Sequence, residues 1–261
     1  MKKLLKDKFI MFLFFVGATA LLVQPALAKD KTSDLDPQAL KIVDRATSFL
    51  AKQNQFSVSV EIWNDFVSAE NRNVQFAKTI ELNLRRPDQF RIQTATIQPE
   101  KTFFYNGKSV TYLDQRAGFF GIAPAPATID KTIAAMGKKY DISFPLDDML
   151  LSTPFDGSAE KARSGQYYGV EMVSGIRCHH LAFQHDLIDW QVWVEDGLLP
   201  VIRKIVIIHK TEQGSPQFTA MFDKWDFSTA LPDYLFNFEP SPGYRKINII
   251  ETVQDKTSVQ K

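Results

Sequence analysis

Between residues 56 and 84 the apolar side chains fall largely on every second position: Phe56, Val58, Val60 and Ile62, then Val74, Phe76, Ile80, Leu82 and Leu84. Successive side chains of a β-strand point to opposite faces, so this period of two predicts long strands with one apolar face. Arg85-Arg86-Pro87-Asp88 ends the run as a turn, because proline cannot continue a paired strand. A strand over residues 90–97 follows. Residues 103–105 and 110–113 then flank Asn106-Gly107, which predicts a hairpin with a type I′ turn. The same period returns over residues 167–173, 178–185, 190–195, 201–210 and 217–227, with Gly175, Gly197 and Gly214-Ser215-Pro216 as turn points.

Two stretches depart from it. Asp36-Pro37 reads as an N-cap followed by proline at the first helical position, and Ala39, Ile42, Val43, Ala46, Phe49 and Leu50 then recur at helical spacing to about Gln53. The middle third carries Gly118-Phe119-Phe120-Gly121, a proline and alanine segment over residues 123–127, and helical composition over residues 128–139 and 146–151. A sheet of this many antiparallel strands must hide one face and manage its edges, and curling does both. The expected fold is mainly β with α: a curved antiparallel half-barrel with an N-terminal helix and a short helical lid over its open face.

Residues 1–28 read as a secretory signal peptide. Four lysines fall within residues 1–8, an apolar run of 15 residues covers 9–23, and Ala26-Leu27-Ala28 supplies the small-residue cleavage pattern. That run is shorter than the ~20 residues a spanning helix needs, and no later segment is long and apolar enough, so the chain is expected not to span a membrane. The expected divisions are a polar leash over residues 29–35, one domain over 36–246 and a polar tail over 247–261. Export by cleavage implies a periplasmic location.

Removing the leader takes four of 31 basic residues and one of 30 acidic ones, leaving 27 against 29. So even a balance, without a basic run, supplies no footprint for nucleic acid. Cys178 is the only cysteine, so no internal disulfide forms. Cys178, His179, His180 and His185 raise a metal reading, but on a strand Cys178 and His180 share one face while His179 joins Leu181 and Phe183 on the other. Two ligands are too few, and neither a metal nor a cofactor is expected. Nucleophile-elbow, zinc-protease and phosphate-loop motifs are absent, and Asp147 and Asp148 are adjacent, so on a helix they diverge by about 100°. The expected protein is not an enzyme.

Two segments carry a resemblance. Glu81-Leu82-Asn83-Leu84-Arg85-Arg86-Pro87-Asp88-Gln89-Phe90-Arg91, followed by Tyr105-Asn106-Gly107-Lys108-Ser109-Val110-Thr111-Tyr112, resembles the outer-membrane lipoprotein carriers of the LolA and LolB kind. The closing Phe236-Asn237-Phe238-Glu239-Pro240-Ser241-Pro242-Gly243 is similar to their ending. Residues 178–183, 189–193 and 200–204 resemble a family of predicted periplasmic proteins over nearly the whole mature chain. The resemblance implies a curved sheet around a helical lid with an apolar cavity between them, in which the carriers hold acyl chains. It also implies that Arg86, before the motif proline, latches the lid by hydrogen bonds. The bland reading is an arginine facing water at a turn, a role Arg85 fills equally well. Cys178 is not a lipoprotein cysteine, and the proline and alanine segment is not the carriers' own.

The apolar strand faces, Val58, Val60, Ile62, Ile80, Leu82, Leu84, Phe90, Ile92, Tyr112 and Trp193, are the candidate ligand-binding residues. The pattern fits a lined cavity and a filled core alike. The function expected is a soluble carrier or sensor binding an acyl chain or other lipophilic ligand. The alternative is an interaction module for an envelope protein partner, with no small ligand.

Overall fold

The structure, a computed structural model, describes residues 34–155 and 157–251. The expected signal peptide, most of the leash and the end of the tail lie outside the described residues. In chain order the elements are β1 (Asp34–Leu35), α1 (Pro37–Ala51), β2 (Gln55–Val67), β3 (Asn73–Arg85), β4 (Gln89–Ala95), β5 (Pro99–Asn106), β6 (Ser109–Asp114) and β7 (Phe119–Pro124). Then come α2 (Ile129–Tyr140), α3 (Asp147–Leu150), β8 (Ser164–Val173), β9 (Ile176–Gln184), β10 (Ile188–Glu195), β11 (Ile202–His209), β12 (Gln217–Asp226) and β13 (Arg245–Ile247).

All the strands form one open, curved sheet in the order β1-β8-β9-β10-β11-β12-β2-β3-β4-β5-β6-β7-β13. Two antiparallel meanders, β2 to β7 and β8 to β12, meet where β12 pairs with β2. That seam joins the start of the first meander to the end of the second, so the connection between them carries α2 and α3 past the sheet face. Among the described residues no helix is long and apolar enough to cross a membrane.

Local chemistry sets the helices. The Asp36 carboxylate accepts from Gln38 N at 2.8 Å and Pro37 opens α1, which buries Ala39, Ala46 and Leu50. Thr128 caps α2, whose Ile129 and Met136 are buried with Phe144, Met149 and Leu150 against the inner face of the first meander. Phe144 meets Phe90 and Phe103 edge-on, with ring centroids 5.1 Å away in each case. Tyr105 Oη and Thr132 Oγ1 both donate to the Pro126 carbonyl, which fixes where the lid leaves β7.

Four expectations change. Residues 119–124, expected to depart from the strand period, are a strand paired with β6, so the lid begins after Pro124. In the β5 to β6 hairpin positive φ falls on Gly107 alone, at 83°, the pattern of type II′ rather than I′. Asn106 instead accepts from the main-chain nitrogens of Lys108 and Ser109 through its side chain. Asp34 and Leu35, expected in the leash, pair in parallel with β8. At the other edge β13 pairs in parallel with β7, and Ile249 continues past it to pack beside Gly121. Both edge strands are too short to show a period.

A candidate ligand cavity

The inner face of the sheet is filled in one half and hollow in the other. Over β2, β3 and β4 the apolar side chains meet α1, α2 and the lid without space for a ligand, and Val58, Val60, Ile62, Ile80, Leu82, Leu84, Phe90 and Ile92 are all buried there. Over β10, β11 and β12 a cavity of about 610 Å³ opens between the sheet, α1 and the segment around α3. Its floor is Trp190, Val192, Val194, Ile202, Ile205, Ile207 and Phe218. Val43, Ala46 and Thr47 of α1 form one wall, and Leu146, Met149 and Phe155 form the facing one. Asp147, Asp148, Ser158, Lys161, His185, His209 and Asn64 supply its polar lining. The volume lies within the range of about 300 to 1,000 Å³ usual for small-molecule sites.

None of the ten candidate residues lines this cavity. Eight are core, and Tyr112 lies on the inner face by Phe103, at the far side of the filled half. Trp193 is on the opposite face of the sheet. It packs with Val173, Cys178 and Val206, stacks on His180 at 4.2 Å and donates to Glu171. The bonds from Trp193 and His180 hold Glu171 below its usual carboxylate range. Cys178 and His180 thus share the outer face, as strand geometry predicts, and His179 faces inward to Tyr167 Oη at 3.0 Å. Among the described residues no three of histidine, cysteine, aspartate and glutamate converge to hold a metal.

The floor is legible in the parity of β10. Asp189, Gln191, Trp193 and Glu195 form one parity, and Trp190, Val192 and Val194 the other. The parity without polar residues is the inward one, which assigns Trp190 to the cavity and Trp193 outside it. Trp190 is fixed by stacking on Phe183 at 4.4 Å and by donating to His185 Nε2 at 2.9 Å.

The facing wall is built on a short helix. α3 has four residues, and Leu146 and Phe155, which bracket it, sit in the left-handed region at φ 60° and 57°. For bulky residues that conformation is unfavourable and persists only where the surroundings impose it. One tie to the sheet is Arg86, whose Nη1 donates to the Leu150 carbonyl at 2.8 Å. Burial lowers the Arg86 pKa from the usual guanidinium value, with Asp130 opposing. Burial, and then Asp148, hold the Asp147 carboxyl above its usual range.

No curated protein matches the chain. Among solved structures it is similar to lipoprotein LppX of Mycobacterium tuberculosis, at 11% identity and a TM-score of 0.47, covering 76% of this chain and all of that one. It is similar as well to an uncharacterised conserved protein of Thermus thermophilus, at 9% identity and 0.46, over 81% of this chain and 99% of that one. A LolA superfamily protein of Nitrosomonas europaea gives 11% identity and 0.39, over 77% and 97%. A family match runs through residues 39–250, from the first turn of α1 to beyond β13. The chain belongs to the family described as predicted periplasmic protein (DUF2092).

Proposed function

We propose that the chain is a periplasmic carrier or sensor that binds an acyl chain or other lipophilic ligand in the cavity over β10, β11 and β12. The observation that carries this reading is the cavity itself, a largely apolar hollow in a sheet whose other half is close-packed. Burying about ten methylenes at ~0.8 kcal/mol each gives on the order of 8 kcal/mol gross, the size of a micromolar dissociation constant before ordering costs. The polar lining orients a head group and α3 forms the movable wall, held by Arg86. Binding rather than catalysis is the role proposed, and the signal peptide that directs export is cleaved after Ala28 to leave Lys29 first, which amino-terminal sequencing of exported protein tests.

Titration with a fluorescent fatty acid, displaced by unlabelled palmitate, tests the cavity. Saturable binding at one site per chain, weakened by Val43→Trp, supports it. Absence of saturable binding by the parent overturns it and leaves the envelope-partner reading.

A further inference from the structure

Beyond the cavity the β2–β3 hairpin outruns its neighbours. The β3 to β4 pairing begins at Thr79 and the β12 to β2 pairing reaches Asn64, so residues 65–67 pair only with residues 73–75, and residues 76–78 pair only with β2. The outer side of this ribbon is tied down: Asn73 Nδ2 donates to Gly214 O at 2.9 Å, Gln217 N to Asp65 Oδ2 at 3.1 Å, and Gln75 Nε2 to Asp65 Oδ1 at 3.0 Å. Its inner side carries Phe66, Val74 and Phe76, exposed by 57%, 42% and 58%, with the two rings edge-on at 5.3 Å.

Single exposed apolar residues need no explanation, but three on one face of an ordered ribbon do. The register joins them to the cavity. Asn64 and Phe218 line the cavity and pair with each other, Phe76 is the other cross-strand partner of Asn64, and Phe66 follows Asn64 by two on the same face. The turn, in contrast, is polar, with Ser68, Glu70, Asn71 and Arg72. Tip-first insertion into a lipid surface would bury that pair of charges.

We infer that Phe66, Val74 and Phe76 form a ledge that continues the cavity floor and binds the part of a long acyl chain that the cavity does not hold. This rests on the cavity reading and names its ligand class: amphiphiles with a chain longer than the cavity. Short chains use the cavity alone, and each added methylene lies along the ribbon.

The test is displacement of a fluorescent fatty acid by octanoate, laurate, palmitate and stearate, for the parent and for Phe66→Ser/Phe76→Ser. Equal octanoate binding with stearate weakened about tenfold in the double variant supports the ledge. A parent-to-variant ratio that stays constant along the series overturns it while the cavity stands. Failure of the parent to bind any member overturns both readings. Unchanged fatty-acid binding with lost adsorption to phosphatidylcholine vesicles also overturns it, giving the ledge to a lipid surface. Should the variant fold poorly, palmitate bearing a photoreactive diazirine at successive chain positions serves with the parent. Cross-links to residues 66–76 from at least one position support the ledge, and their absence from all positions overturns it.

Discussion

Arg86 Nη1 donates to the main-chain oxygen of Leu150 at 2.8 Å, joining the turn after β3 to the last residue of α3. A hydrogen bond from a charged donor contributes about 1.5 to 3 kcal/mol net. Arg86 Nε and Nη2 are buried without a hydrogen-bond partner among the described residues, which offsets part of that gain. Arg86→Leu should therefore speed amide exchange about tenfold in residues 146–155 and leave β2 to β4 unchanged. Uniformly faster exchange would show a global loss, and unchanged exchange in residues 146–155 would remove the latch.

Trp190 and Trp193 lie three residues apart and on opposite faces. Ligand binding should change the emission of Trp190, which lines the cavity. Trp190→Phe should abolish most of the ligand-induced change, and Trp193→Phe should retain it. The reverse outcome would put the ligand on the outer face.

How far this was readable from the sequence differs by level. Alternation in β2, β3 and β10 and the Asp36-Pro37 start of α1 are local signals, and they predicted those elements. Which half of the inner face stays hollow is set by where α2 and Phe144 come to rest. Their apolar residues would suit any apolar strand face, so no local pattern distinguishes Val58 in a filled core from Val192 over a hollow. Trp193 shares the parity of Asp189, Gln191 and Glu195, and that polar parity is the one that faces outward.

Cys178 is buried, and that burial, with Glu195 adding to it, pushes its thiol up to about 11. Only the thiolate is strongly nucleophilic. Iodoacetamide at neutral pH should leave native protein unlabelled and label it once unfolded in urea. Fast labelling under native conditions would contradict the packing around Val173, Trp193 and Val206. Chelation should likewise leave the melting temperature unchanged, because among the described residues no third ligand converges with Cys178 and His180.

The raised pKa of Asp147 sets a pH dependence. A carboxyl that holds its proton better folded than unfolded costs stability as pH rises from its unfolded value through its folded one, and the cost is constant above. Asp147→Asn removes it. The variant should melt above the parent at neutral pH, and the gap should close on acidification through the folded value. A lower melting temperature than the parent at neutral pH would show that the ionised carboxylate stabilises α3.

The hollow over β10, β11 and β12 is the central claim, and a native mass spectrum of protein purified from its own host tests it most directly. Parent protein should carry a near-stoichiometric adduct that organic extraction releases as a lipophilic molecule, and Val43→Trp, which narrows the cavity, should carry much less. A parent spectrum of bare chain, or an adduct retained equally by the narrowed variant, would contradict it.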